Sequence, residues 1–267
     1  MGFLLGGLLE RAFGWRASFY AVGLPGLVLA ALVSIVPDPP RGVNDEEVVA
    51  VPQSMMAAVR TLTSNATYVG TVLGYTAYTF ALGGLAIWMP TYLERVRGFE
   101  LARANYFVGA LTAVAGLGGT FVGGFLADRL AARVKHGYLW LSGVSTLAAT
   151  VPAWLALTAA SPAIYQPSFF VAEFLLFLCA GPINVVVVSS VPAGMRAMAM
   201  AMCIFVIQAL GGAVSPPIIG AVADFAGLAR AVSLVPLSIA LAGLIWIATA
   251  VRTPDWISDS GSPQAVP

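Results

Sequence analysis

The chain has 267 residues, of which 59% are apolar and only 9% charged, and its formal net charge is +1. Water-soluble domains carry about a quarter charged residues, so this composition, with a mean hydropathy of +0.89, excludes an ordinary soluble domain. The near-zero net charge argues against a nucleic-acid partner or an acidic docking surface.

Eight apolar segments separated by short polar breaks predict an all-α, polytopic membrane helical bundle. The first, Met1–Leu9, is closed by Glu10 and Arg11. Nine residues make a helix of roughly 13 Å, under half of a hydrocarbon core of about 30 Å. Either Met1 is a misplaced start or the sequence extends upstream. The second segment is Ala17–Val36, ended by Pro37, Pro39 and Pro40. A polar linker over 37–66 follows, with Asn44-Asp45-Glu46-Glu47. Six segments then fill 67–252: Tyr68–Leu93, Ala104–Ala127, Tyr138–Ala159, Ser168–Ser189, Ala197–Ala223 and Ala231–Val251. The tail, 253–267, is rich in Ser, Pro and Gly and is expected to be disordered.

Cofactor chemistry finds no footing. No P-loop or dinucleotide fingerprint follows a strand-like run. No Cys/His set has metal-ligand spacing, and Cys179 and Cys203 read as packing thiols. No nucleophile–base set appears, so the expectation is no enzyme, no cofactor and no metal. Membrane lipids are the expected surroundings.

Three apolar segments close on Gly-x-x-x-acid: Gly6 to Glu10, Gly124 to Asp128 and Gly220 to Asp224. The last two copies lie three segments apart, so they must sit on opposite sides of the membrane. Three-helix repeats of inverted topology are a secondary-transporter signature. Loop cations split seven to six between the two sides, so charge bias does not orient the chain.

Glu173 is the only carboxylate well inside an apolar segment. Burying it costs several kcal/mol, which marks it as a functional candidate. It either faces a cavity and binds a proton or cation, or is a structural carboxylate near the membrane surface. Asn184 and Gln208 either bond a solute or glue helices together. Tyr75 and Tyr78, spaced i,i+3, either line a cavity with hydroxyls or pack as aromatics. Trp88 and Tyr92 read as an interfacial aromatic belt. Glycines in the fourth segment, including Gly119 and Gly123, allow close helix approach. Pro216 and Pro217 predict a kink in the seventh.

The run Gly123-Gly-Phe-Leu-Ala-Asp-Arg-Leu-Ala-Ala-Arg133 resembles the cytoplasmic loop motif of the major facilitator superfamily, between its eighth and ninth helices. Gly14-Trp15-Arg16 resembles the turn between the fifth and sixth. The runs Glu173–Asn184, Pro192–Ala201 and Ser215–Gly220 are similar to the spinster branch, whose animal members resemble transporters of sphingosine phosphate and lysophospholipids. This resemblance implies family helices five to twelve: the last two amino-half helices over 1–36, the first incomplete, a central cytoplasmic linker, and a carboxyl half over 67–252. It also implies that the family's first four helices are not in this stretch. It implies alternating access for an organic or lipid-like solute in a multi-pass cell-membrane protein, with a proton or another ion as coupling partner. Alternatives are a drug, sugar or organic-anion permease, or a non-transporting truncated protein. The motif implies a gate latch of Gly124, Asp128, Arg129 and Arg133, with Arg196 in the same network. Spinster-like sequences often carry His and Asp where Gln208 and Gly212 stand, which is a departure at the coupling site.

Overall fold

A backbone in lipid has no water to bond, so a membrane segment must close its own hydrogen bonds as a helix. The computed structural model describes residues 13–36 and 54–253, and every regular element in them is helical. The early helices are α1 (Trp15–Val33), α2 (Met55–Ser64), α3 (Ala66–Arg95), α4 (Leu101–Ala131) and α5 (Gly137–Thr158). α6 (Pro162–Phe177) and α7 (Pro182–Ser189) form one span broken at 178–181. A short 3-10 turn, α8 (Arg196–Ile207), a π turn (Gln208–Gly212) and α9 (Ser215–Ala226) form the next. α10 (Leu228–Ala231) and α11 (Leu234–Arg252) form the last.

Six of these stretches are long and apolar enough to cross a membrane, and they match the third to eighth predicted segments. α1 covers the second, with largely exposed side chains. Met1–Leu9, the Gly6–Glu10 copy, most of the linker and the tail from 254 lie outside the described residues. The described end of the linker holds α2, which buries Ala58 and Leu62 and is capped by Ser54, whose hydroxyl accepts from Ala57 N–H.

The spans alternate in direction. One end of the body gathers residue 65 and the turns at 132–136 and 190–195. The other gathers 96–100, 159–161 and 227–233. At the first end Asn65 joins two spans. Its oxygen accepts from Tyr68 N–H at 2.9 Å and caps α3, and its amide donates to the Ser190 carbonyl at 2.7 Å. Asp128 ends α4 and Asp224 ends α9, so the two Gly-x-x-x-Asp copies do lie at opposite ends.

Trp246 centres the core on α11. It is fully buried, and its Nε1–H donates to the Thr71 carbonyl at 3.0 Å. The Tyr75 and Tyr78 rings lie 6.2 and 5.7 Å from it.

Both helix breaks have a sequence cause. Pro182 has no N–H to give the Leu178 carbonyl one turn earlier, so α6 stops and α7 restarts. α4 presses its glycine stripe on that break. A methyl at Gly119 would sit 2.7 Å from the Phe174 oxygen, and one at Gly123 would overlap the Leu178 carbonyl. The expected break before Pro216-Pro217 is a π turn, with Ala213 N–H donating to the Gln208 carbonyl at 2.8 Å. The prolines then open α9, where missing N–H groups cost nothing. Such π turns recur at functional sites.

Candidate functional site

The sequence-predicted residues fall into four places. Glu173 sits inside the helical body, 5% exposed, on the inward face of α6. Thr112 of α4 donates its hydroxyl to Glu173 Oε1 at 3.0 Å, and Oε2 has no partner. A gap of about 10 Å³ adjoins it, walled by Leu85, Met89, Ala153, Phe169, Val235 and Ile239. That is about the volume of a single water, in an apolar lining that offers no second polar partner. The carboxyl group is therefore not on an exposed face. It stands where five spans meet.

The second place is the break between α6 and α7. The Tyr78 hydroxyl donates to the Leu176 carbonyl at 3.0 Å, and its ring is buried 5.8 Å from Tyr75 and against Trp246. Tyr78 therefore ties α3 to α6 as a packing aromatic and lines no open surface. Tyr75 is half-buried and lies against Asn184 and Cys179. The Asn184 amide donates to the Ala180 carbonyl at 2.7 Å, filling in for a backbone bond lost at the break. Its Oδ1 is left to other donors.

The third place is the π turn. Gln208 is exposed among Ile204, Phe205 and Leu210, which are 51%, 67% and 61% exposed. The turn is pressed on α3: a methyl at Gly211 would lie 2.6 Å from the Thr76 carbonyl. Tyr75, Asn184 and Gln208 thus offer amide and hydroxyl groups on surfaces that are otherwise apolar. They can hydrogen-bond a polar group while the neighbouring side chains hold an apolar one.

The fourth place is the end of the body that carries the loop motif. Asp128, exposed in the last turn of α4, accepts the Tyr138 hydroxyl at 3.0 Å at the start of α5. Arg129 lies over the Phe125 ring, 4.1 Å from its centroid. Arg133 and Arg196 are exposed at the same end. Among the described residues Asp128 makes no ion pair with these arginines. Nothing lies within 4 Å of where a Gly124 Cβ would stand.

Other functions of side chains escaped the sequence. Tyr92, near the end of its span, is buried and faces inward: its hydroxyl donates to the Leu157 carbonyl at 2.6 Å. Trp88 likewise donates inward, to the Pro216 carbonyl at 3.1 Å. Arg97, which reads as a loop charge, donates to Leu157 and Ala156 carbonyls at 2.8 and 3.4 Å and lies over the Tyr165 ring. A cation at the carbonyl end of α5 also meets the helix dipole favourably. The polar–aromatic spacing near a helix end was the available signal. Among the described residues no group of three His, Cys, Asp or Glu is placed to hold a metal.

Comparison with known proteins places this geometry. The Major Facilitator Superfamily model matches residues 1–216. The chain is 28% identical over 281 residues to the probable sphingolipid transporter spinster homolog 2 of Arabidopsis thaliana, covering 99% of this chain and 57% of that one. It is 30% identical over 280 residues to the protein spinster homolog 3 of Danio rerio, covering 94% and 56%. The chain thus spans little more than half the length of these relatives. Its fold matches the crystal structure of a bacterial homologue of the human lysosomal transporter Spinster, inward-facing and occupied. There the TM-score is 0.64 at 20% identity, covering 98% of this chain and 65% of that one.

Proposed function

The chain belongs to the major facilitator superfamily, and from that premise we propose that it forms the carboxyl half, with the end of the amino half, of a secondary transporter for an amphipathic, lipid-like solute. The observation that carries this reading is the exposed Gln208 at a π turn among Ile204, Phe205 and Leu210. A polar group set in an apolar wall complements a solute with a headgroup and a chain. Its likeness to spinster proteins, one of them named a sphingolipid transporter, supports the same substrate class. The protein works in a cell membrane. Glu173 binds the coupling proton, and Asp128, Arg129, Arg133 and Arg196 form the gate as the two halves rock.

Thermal stabilisation tests the solute class. The full-length protein in detergent should gain several degrees with micromolar lysophospholipid or sphingosine, because a ligand that binds only the folded state stabilises it. Gln208→Leu should melt like the parent without ligand and lose that gain. An equal gain in both would reject Gln208 as a binding group.

A further inference from the structure

A groove of about 480 Å³ separates the start of α3 from the end of α11. Thr63, Ser64 and Arg252 line its rim, and Val69, Leu73 and Ile245 line its wall. Arg252 and Ile245 are seven residues apart on one helix, so the groove changes from polar to apolar over roughly 10 Å. The wall opens sideways, since Leu73 is 53% exposed. The floor is closed: a methyl at Gly70 would overlap the Thr249 hydroxyl.

Among the described residues, positive charge is concentrated at this end of the body. Arg60, Arg129, Arg133, Lys135, Arg196 and Arg252 gather there, and among the described residues Asp128 is the only carboxylate with them. At the opposite end Glu94, Glu100 and Asp224 offset Arg95, Arg97, Arg103 and Arg230. Arg60 also shares a face of α2 with Thr63 and Ser64, by i,i+3 and i,i+4 spacing. A second cation therefore lies one turn from the rim residues on the same helix.

We propose that this groove binds an anionic phospholipid of the bilayer, with its phosphate beside Arg252 and one acyl chain along Val69, Leu73 and Ile245. The cationic rim favours a negative headgroup. The wall runs down two membrane-spanning helices, where an acyl chain has access and a soluble partner does not. A free phosphate would use the rim and leave the wall empty.

Native mass spectrometry of the full-length protein tests this, titrated with phosphatidylglycerol or phosphatidylcholine of the same chains. Phosphatidylglycerol should be retained at lower concentration than phosphatidylcholine. Arg252→Ala should weaken phosphatidylglycerol about fivefold, the effect of one cation near a charged headgroup, and leave phosphatidylcholine unchanged. Arg252→Lys should keep the preference. Arg252 is exposed, so both variants should melt like the parent. Millimolar inorganic phosphate should not displace the lipid. Displacement by phosphate would overturn the proposal, as would a preference that survives Arg252→Ala. Equal retention of both lipids would also overturn it.

Discussion

Thr112 on α4 donates its hydroxyl to Glu173 on α6 at 3.0 Å, and the other carboxylate oxygen has no partner. A charge held by one hydroxyl in an apolar gap is costly, whereas a protonated acid is not. This makes the pair a place where a proton can bind and leave as packing changes. Glu173→Gln mimics the protonated form. It should fold at least as well as the parent, lose gradient-driven net transport and keep solute exchange. Reconstituted vesicles assayed at two pH values check both modes. Parental net transport and pH dependence would make Glu173 structural.

Thr112→Val tests the same bond from the other side. It leaves both carboxylate oxygens without a donor, which costs about 1–3 kcal/mol. The melting temperature should fall, and Glu173→Gln in the same background should recover part of the loss. Strictly additive losses would show that the two side chains do not act as a pair.

Adjacent glycines should behave oppositely. Gly123→Ala drives a methyl into the Leu178 carbonyl and should cost about 1–3 kcal/mol of stability. Gly124→Ala meets open space and should be neutral or stabilising by up to about 1 kcal/mol. If Gly124 serves the gate, its variant should still lose transport. Thermal unfolding and uptake, measured together, separate the two effects.

Asp128→Asn keeps an acceptor for Tyr138 and removes the charge. Folding should survive within about 0.5 kcal/mol, as for most surface changes. Transport should fall, and thiol labelling from the side bearing Asp128 should rise. Unchanged labelling and transport would leave an ordinary solvated turn.

The spans were legible because each is a long apolar run in which, Glu173 apart, the few charges gather at the ends. The Pro216-Pro217 break was legible too, because proline removes a donor wherever it stands. The break at Pro182 carried the same signal within the Gly181-Pro182 pair, inside a run valued for its family likeness. Rotational facing was not legible. Hydropathy gives the depth of Glu173 in its span and says nothing of which neighbour it meets, and Thr112 is 61 residues away in sequence. Tyr92 likewise reads as an interfacial ring by position, because its acceptor on Leu157 belongs to another helix. Tyr78 and Trp246 meet only once α3 and α11 pack.

Uptake of a fluorescent lysophospholipid or sphingosine by vesicles holding the full-length protein tests the central claim most directly. With an imposed proton gradient, the account predicts accumulation above the equilibrium level, collapse on dissipating the gradient, and loss of that accumulation in Glu173→Gln. Uptake no greater than in protein-free vesicles, with or without the gradient, would contradict it.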